Sequence, residues 1–251
     1  MIPVWNVKLI KVGEFFGVDK SALAHFAFKG EIITAPMWCL AVYNHDHKII
    51  IDTGIHDVQW ARDNVEPGAD LFEGRDTVGA IEHAMGWKPD DVDTVILTHL
   101  HYDHCGQADK FKNAKIFVQK KEWEVAHDNT PTEARFYYSK LFDKKAVNYF
   151  QWEMLDGDTE IFPGLAVVTT PGHTRGHQSA LINIAEGVVC FSGDSVNVIE
   201  NINDNLEPGI LIDGLEIYKS YKRIREFATF IIPSHDPSLD NYATGGFPMI
   251  K

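Results

Sequence analysis

The 251-residue chain has little of what marks several protein classes. Its cysteines number only three, at 39, 105 and 190, an odd and widely spaced set that does not suit a disulfide framework. No window approaches the ~18 uninterrupted apolar residues of a membrane helix, and the first residues carry no basic segment followed by an apolar one. Positive charge is scarce. The 23 Lys and Arg against 36 Asp and Glu give a net charge of -13, which argues against a nucleic-acid partner, because phosphates are held by clustered basic side chains. Linkers, low-complexity tracts and short repeats are also missing. These absences leave an acidic globular chain, expected in the cytoplasm, with neither membrane nor nucleic acid as partner. With 45% hydrophobic residues, a chain of this size buries roughly three quarters of its unfolded surface and needs no covalent staples.

What the sequence does have is histidine, 12 in all. His25, His45, His47, His56 and His83 are scattered, and His127 falls on a helix-like stretch; none of these six suggests more than a structural role. The segment Thr98-His99-Leu100-His101-Tyr102-Asp103-His104-Cys105-Gly106 is different. It places three imidazoles and a carboxylate within six positions, directly after the strand-like Val95-Ile96-Leu97. Imidazole and carboxylate are ligands of borderline divalent metals. Four such groups exceed what one tetrahedral ion accepts beside a water, so the spacing suggests two ions, His99 and His101 serving one, Asp103 and His104 the other. A helix cap, which needs one side chain, does not call for three imidazoles. Three further apolar runs stop at Gly or Pro and then present a ligand-type residue: His173 after 165–170, Asp194 after 187–192, His235 after 230–232. Strand ends delivering polar groups to one edge is how α/β-type folds build sites.

This pattern resembles the metallo-β-lactamase-fold hydrolases, whose H-x-H-x-D-H motif is matched by His99, His101, Asp103 and His104. His173, Asp194 and His235 reinforce the resemblance, as does Ile51-Asp52-Thr53-Gly54 after an early hairpin. Within that superfamily the sequence is similar to the N-acyl homoserine lactonases, on Thr98 to Gly106 and on Thr170-Pro171-Gly172-His173-Thr174-Arg175-Gly176-His177-Gln178-Ser179. The resemblance implies an α/β (α+β) fold, an αββα sandwich of two mixed sheets flanked by helices. It implies two divalent ions, zinc by analogy, with His99, His101 and His173 on the first, Asp103, His104 and His235 on the second, and Asp194 bridging. It also leaves open a homodimer. One departure stands out. Those lactonases carry a Tyr three residues after the bridging Asp, where it contacts the lactone carbonyl; here that position is Asn197, a shorter hydrogen-bond donor.

Strand-like runs near residues 4–12, 37–43, 48–51, 94–97 and 115–119, with helices over 77–86, 121–127 and 215–228, support one domain over 1–251. Residues 128–152 read as a helical, aromatic-rich insertion beside the site, with Phe136, Tyr137, Tyr138, Phe142, Tyr149, Phe150 and Trp152 packing on the core or lining a substrate pocket. The expected chemistry is opening of a lactone ring by a hydroxide between the two ions, made available at neutral pH because a bound metal lowers the pKa of water to about 7. Asp103 would move the proton and Asn197 would donate to the oxyanion. His173 and His177 are spaced H-x3-H, and one of them completes the first ion's imidazoles; the Pro171-Gly172 turn aims His173 at the strand end. His177 is expected beyond the ligands, with Asp52 orienting a ligand imidazole. Cys105 is expected as a buried thiol. The alternative is the same metal site acting on another small ester, a thioester, a cyclic amide or a β-lactam.

Overall fold

The computed structural model describes residues 3–142, 151–242 and 246–250. Among the described residues, twelve strands form two mixed sheets. Strands β1 (Asn6–Asp19), β2 (Ile32–Tyr43), β3 (Lys48–Ile51), β4 (Ala69–Leu71), β5 (Thr94–Ile96), β6 (Lys115–Gln119) and β7 (Gln151–Leu155) build the first, in the order β4-β1-β2-β3-β5-β6-β7. The second contains β8 (Thr159–Phe162), β9 (Leu165–Thr169), β10 (Gln178–Ile184), β11 (Gly187–Phe191) and β12 (Phe230–Ile232), ordered β12-β11-β10-β9-β8. The α-helices among the described residues are α1 (Val58–Asn64), α2 (Thr77–Met85), α3 (Lys120–His127), α4 (Pro131–Ala134), α5 (Ile199–Asn203) and α6 (Gly214–Phe227).

Strand alternation explains the layering. Leu40, Val42, Ile49 and Ile51 point from the first sheet to a core shared with Leu165, Val167, Ile182 and Val189 of the second. Their neighbours Cys39, Ala41 and Ile50 face the opposite way, toward Ala61 of α1, Ile81 of α2 and Val125 of α3. Behind the second sheet, Cys190 and Ile231 pack on Ile217, Tyr221 and Ile224 of α6. The result is the expected αββα order of helices, sheet, sheet and helix.

The polar-ended strands meet at one edge. In the first sheet β3, β5 and β6 run parallel, so the residues following β3 and β5 emerge side by side. In the second sheet β11 and β12 are parallel, which brings the residues after them together as well. Gln178 ties the sheets at that edge: its backbone N–H donates to the Thr98 carbonyl at 2.9 Å and its side-chain amide to the Leu97 carbonyl at 2.8 Å.

Two sequence expectations change. Strand β1 runs to Asp19 and β2 starts at Ile32, each longer than the apolar runs suggest, because backbone pairing continues across two register shifts, at Lys11/Gly13 and Phe15/Val18. Residues 151–152 are not the end of a helical insertion; they open β7, which pairs parallel to β6 from Lys115↔Gln151 to Gln119↔Leu155. In the rest of that segment, α4 is followed by a 3-10 turn over Ser139–Phe142. Tyr149, Phe150 and the Phe142 side chain lie outside the described residues.

Gly106 closes the motif loop against the turn after β3. Its N–H donates to the Gly54 carbonyl at 2.8 Å, and a Cβ there would lie 2.3 Å from Gly54 O and 2.3 Å from His56 N. Neither obstacle is a side chain that can rotate away. Gly106→Ala is therefore expected to cost at least about 1–3 kcal/mol, read as a lower midpoint in denaturant unfolding.

Candidate metal centre

Five chain segments, each leaving a strand, supply the polar cluster. The turn after β3 carries Asp52, the loop after β5 carries His99, His101, Asp103 and His104, and β9, β11 and β12 are followed by His173, Asp194 and His235. All eight side chains are buried. The structure brings seven of them into three overlapping groups whose donor atoms lie within 4.8 Å of one another: His99, His101 and His173; His99, His104 and Asp194; Asp103, His104 and His235.

Hydrogen bonds fix how the imidazoles face. Asp52 accepts from the Thr98 N–H and the Thr98 hydroxyl, both at 2.8 Å. With its proton committed there, the Thr98 oxygen is left to accept from His99 Nδ1, 3.0 Å away. His104 Nδ1 donates to Asp52 Oδ2 at 2.8 Å, His173 Nδ1 to the Ile210 carbonyl at 2.9 Å and His235 Nδ1 to the Pro36 carbonyl at 2.9 Å. Four rings thus have Nδ1 anchored outward and Nε2 turned in, the arrangement that sets a metal-binding tautomer. His101 is the exception, presenting Nδ1 to His173 Nε2 at 3.0 Å.

Asp194 lies between the two sets. Its Oδ1 is 3.0 Å from His104 Nε2 and 3.1 Å from His235 Nε2, while Oδ2 faces His173 Nε2 at 3.4 Å. Asp103 Oδ2 lies 3.5 Å from His104 Nε2 and 3.7 Å from His235 Nε2. Burial lowers the pKa of His99 and His101 well below the ordinary histidine value, and neighbouring imidazoles add to the effect. His173 is lowered too, again by burial first. Burial works the same way on His104 and His235, but the surrounding carboxylates, Asp194 first and Asp103 with it, together outweigh it and raise both. Burial opposes ionisation of Asp194, yet His104, His235 and His173 hold it well below the carboxylate range. Asp103, for which burial dominates, is raised. The donor set suits divalent cations: imidazole nitrogens and a committed carboxylate converge, and His99 Nε2, His104 Nε2 and Asp194 Oδ1 are buried without a hydrogen-bond partner.

His177 sits in the cluster without joining a ligand group. Its Nδ1 meets the Thr170 hydroxyl at 2.9 Å and its ring lies 5.1 Å from that of His99. Asn197 is buried; its Nδ2 donates to the Leu23 carbonyl and its Oδ1 accepts from Ser234 Oγ, both at 3.4 Å. With Asp103, Asp194, His235 and Tyr102 it lines a hollow of about 200 Å³.

Sequence reasoning missed Glu122, in the first turn of α3. Fully buried, it accepts from the Leu100 N–H at 3.2 Å, the Tyr137 hydroxyl at 2.9 Å, the Thr174 hydroxyl at 2.6 Å and the Gly176 N–H at 3.1 Å. One carboxylate thereby ties the loop of His99 and His101 to the loop of His173. Burial raises its pKa against the pull of those four donors. In sequence it is an ordinary acidic residue near a helix start, with nothing to mark it. Glu122→Ala would strand several buried donors at about 1–3 kcal/mol each. The expected outcome is a lower thermal midpoint together with weaker metal retention against a chelator, and unchanged retention would show that the two loops hold their own geometry.

Residues 36–236 match the family model of the Metallo-beta-lactamase superfamily. An N-acyl homoserine lactonase from Bacillus cereus is 30% identical over 218 residues, 83% of this chain and 83% of its own. One from Rhizobium radiobacter is 30% identical over 195 residues, 73% of this chain and 70% of its own. The crystal structure of a quorum-quenching N-acyl homoserine lactone lactonase superposes with a TM-score of 0.80 at 26% identity, covering 96% of each chain. The chain belongs to the metallo-beta-lactamase superfamily, and its relatives there include N-acyl homoserine lactonases.

Proposed function

We propose that this protein is a dinuclear metal-dependent hydrolase that opens the ring of N-acyl homoserine lactones, and so removes a quorum signal. The observation that carries the reading is Asp194, whose two oxygens face separate imidazole sets on the floor of a hollow of about 200 Å³. In this reading His99, His101 and His173 hold one ion, Asp103, His104 and His235 the other, and Asp194 joins them. Imidazole and carboxylate donors in this number suit zinc. When bound, divalent ions make hydroxide available at neutral pH and place positive charge beside a carbonyl oxygen.

The chain's own residues do the rest. Asp52 and the Ile210 and Pro36 carbonyls hold the ligand rings in orientation, and Glu122 fixes the two loops that carry them. Asp103, on the floor of the hollow, takes the proton of the attacking water and returns it to the ring oxygen as the acyl C–O bond breaks, leaving a carboxylate and a hydroxyl. Asn197 donates to the carbonyl oxygen. A second candidate donor lines the same space: Tyr102, whose hydroxyl makes no hydrogen bond among the described residues and whose ring is braced by Trp60 at 5.6 Å and Phe15 at 6.5 Å. Tyr102 thus offers a phenol where Asn197 lacks one.

The ligands come from both sheets, which supports residues 1–251 as one domain. No described helix is long and apolar enough to cross a membrane. A cytoplasmic setting accords with three free, buried thiols, Cys105 among them.

Metal analysis of the purified protein should find two ions per chain. Asp194→Ala should lose metal and activity together, while His177→Ala should keep its metal; loss in both would move His177 among the ligands. Metal-loaded protein assayed against acyl homoserine lactones, a γ-lactone, a thioester and a chromogenic β-lactam should favour the acyl homoserine lactones. Asp103→Asn should lower kcat/KM on them by at least about a hundredfold.

Asn197→Ala and Tyr102→Phe separate the two candidate donors. Losing an oxyanion donor should cost about 100-fold in kcat with KM little changed, so the variant showing that drop identifies the group on the carbonyl.

A further inference from the structure

One buried side chain outside the hollow over Asp103 is bonded to two of the residues that line it. Asn201, in α5, is fully buried and does more than cap a helix. Its Oδ1 accepts from the Asn197 and Val198 N–H groups, both at 2.9 Å, which is all that starting so short a helix asks of a side chain. Its Nδ2 turns the other way, to the carbonyls of Leu23 at 3.1 Å, Leu206 at 3.2 Å and Glu207 at 3.3 Å. A carboxylate would serve the first purpose. An amide, an acceptor at one end and a two-proton donor at the other, serves both.

The three carbonyls differ in what else they hold. Leu206 O also accepts from the Tyr221 hydroxyl at 3.0 Å, and Glu207 O from the His25 N–H at 2.8 Å. Leu23 O has two donors among the described residues, and both are side-chain amides: Asn201 at 3.1 Å and Asn197 at 3.4 Å. Leu23 and Asn197 line the hollow. The other end of the Asn197 amide is held as loosely, its Oδ1 accepting from Ser234 Oγ at 3.4 Å.

These distances divide the labour. A buried carbonyl needs a partner, and Asn201 supplies the shorter bond to Leu23, so Asn197 Nδ2 keeps two protons that are only weakly engaged. Ser234 settles which end of the Asn197 amide is oxygen; reversed, that amide would turn an acceptor toward a developing oxyanion instead of a donor. The Asn197 backbone is fixed as well, because its N–H binds Asn201 and its carbonyl accepts from the His235 N–H at 2.9 Å. Only the side chain is left to be aimed.

We propose that Asn201 and Ser234 are positioning residues that aim the Asn197 amide at the substrate carbonyl, Asn201 by pairing the Leu23 carbonyl in its place and Ser234 by holding its oxygen end; this rests on the reading above in which Asn197 donates to that carbonyl. Without Asn201, the Leu23 carbonyl claims the Asn197 amide. Without Ser234, the amide is free to reverse.

The test is a double-mutant cycle. It measures kcat and KM for N-hexanoyl homoserine lactone with metal-loaded wild type, Asn201→Asp, Asn201→Ala and Ser234→Ala, each also combined with Asn197→Ala, and takes metal content per chain and the thermal midpoint as independent readouts. Asn201→Asp keeps the acceptor at the helix start and removes the donor to Leu23. It and Asn201→Ala should lower kcat about tenfold or more at nearly constant KM, and Ser234→Ala about two- to tenfold. In the Asn197→Ala background none of the three should lower kcat further, and metal content should match wild type throughout. Ser234→Ala, which removes a single oxygen, decides the matter if the Asn201 variants do not fold. Unchanged kcat in all three, equal losses with and without Asn197, or metal lost in step with kcat would overturn the proposal. Should Asn197→Ala alone keep full kcat, the carbonyl donor is another group, and this inference falls while lactone hydrolysis stands. A wild type that hydrolyses no lactone would overturn the functional reading and this inference with it.

Discussion

A carboxylate can be buried where two sheets meet only if each of its oxygens finds positive charge or a donor, since an isolated ionised group in such a place costs far more than folding can supply. Asp194 faces three imidazoles, two at one oxygen and one at the other, yet its Oδ1 has no hydrogen-bond partner among the described residues, a demand that a bound cation would meet. Much of the surrounding architecture serves the same requirement. The rings can face Asp194 only if their other nitrogens are anchored behind, which the Asp52 carboxylate and the Ile210 and Pro36 carbonyls do. The anchors lie in different parts of the chain, so the centre is held by the sandwich as a whole.

Asp52 shows what this costs the backbone. It sits at φ +59°, in the left-handed region that non-glycine residues seldom occupy, and it is buried. Such strain persists only where surrounding contacts over-determine it, and it tends to gather at functional positions. Here the contacts are three hydrogen bonds to one carboxylate, from Thr98 twice and from His104 once. Gly54, at φ +62°, completes the turn that lets the strand end double back beneath the motif loop.

The polar cluster was legible in the sequence because four of its groups fall within six positions and three others each follow an apolar strand. Hydrophobic runs likewise indicated β3, β5, β6 and β12, and helical periodicity indicated α2, α3 and α6. Other features were hidden for physical reasons. The full length of β1 and β2 depends on backbone pairing across register shifts, to which side-chain patterning is blind. The strand Gln151–Leu155 is an edge strand, half exposed, so it lacks the apolar run that a central strand shows. Helix α1 begins at the Asp57 cap and buries only Ala61 among its residues, too little for a visible stripe. Glu122 looked like any helix-start acid because its function lies in four partners distant in sequence. The aromatic segment after residue 128 was legible as a candidate pocket wall, and Phe136 does line the hollow over Asp103.

The order of the centre's residues along the chain carries a consequence for biosynthesis. During translation the amino-terminal sheet can assemble first, with His99, His101, Asp103 and His104 already exposed at its edge. The residue facing Asp103 and Asp194 after the last core strand, His235, is synthesised 131 positions after His104. A ribosome-bound chain therefore carries at least four of the seven candidate ligands over the whole stretch of synthesis that separates His104 from His235. Prematurely terminated products would keep a capacity to capture stray cations without the geometry that puts them to use.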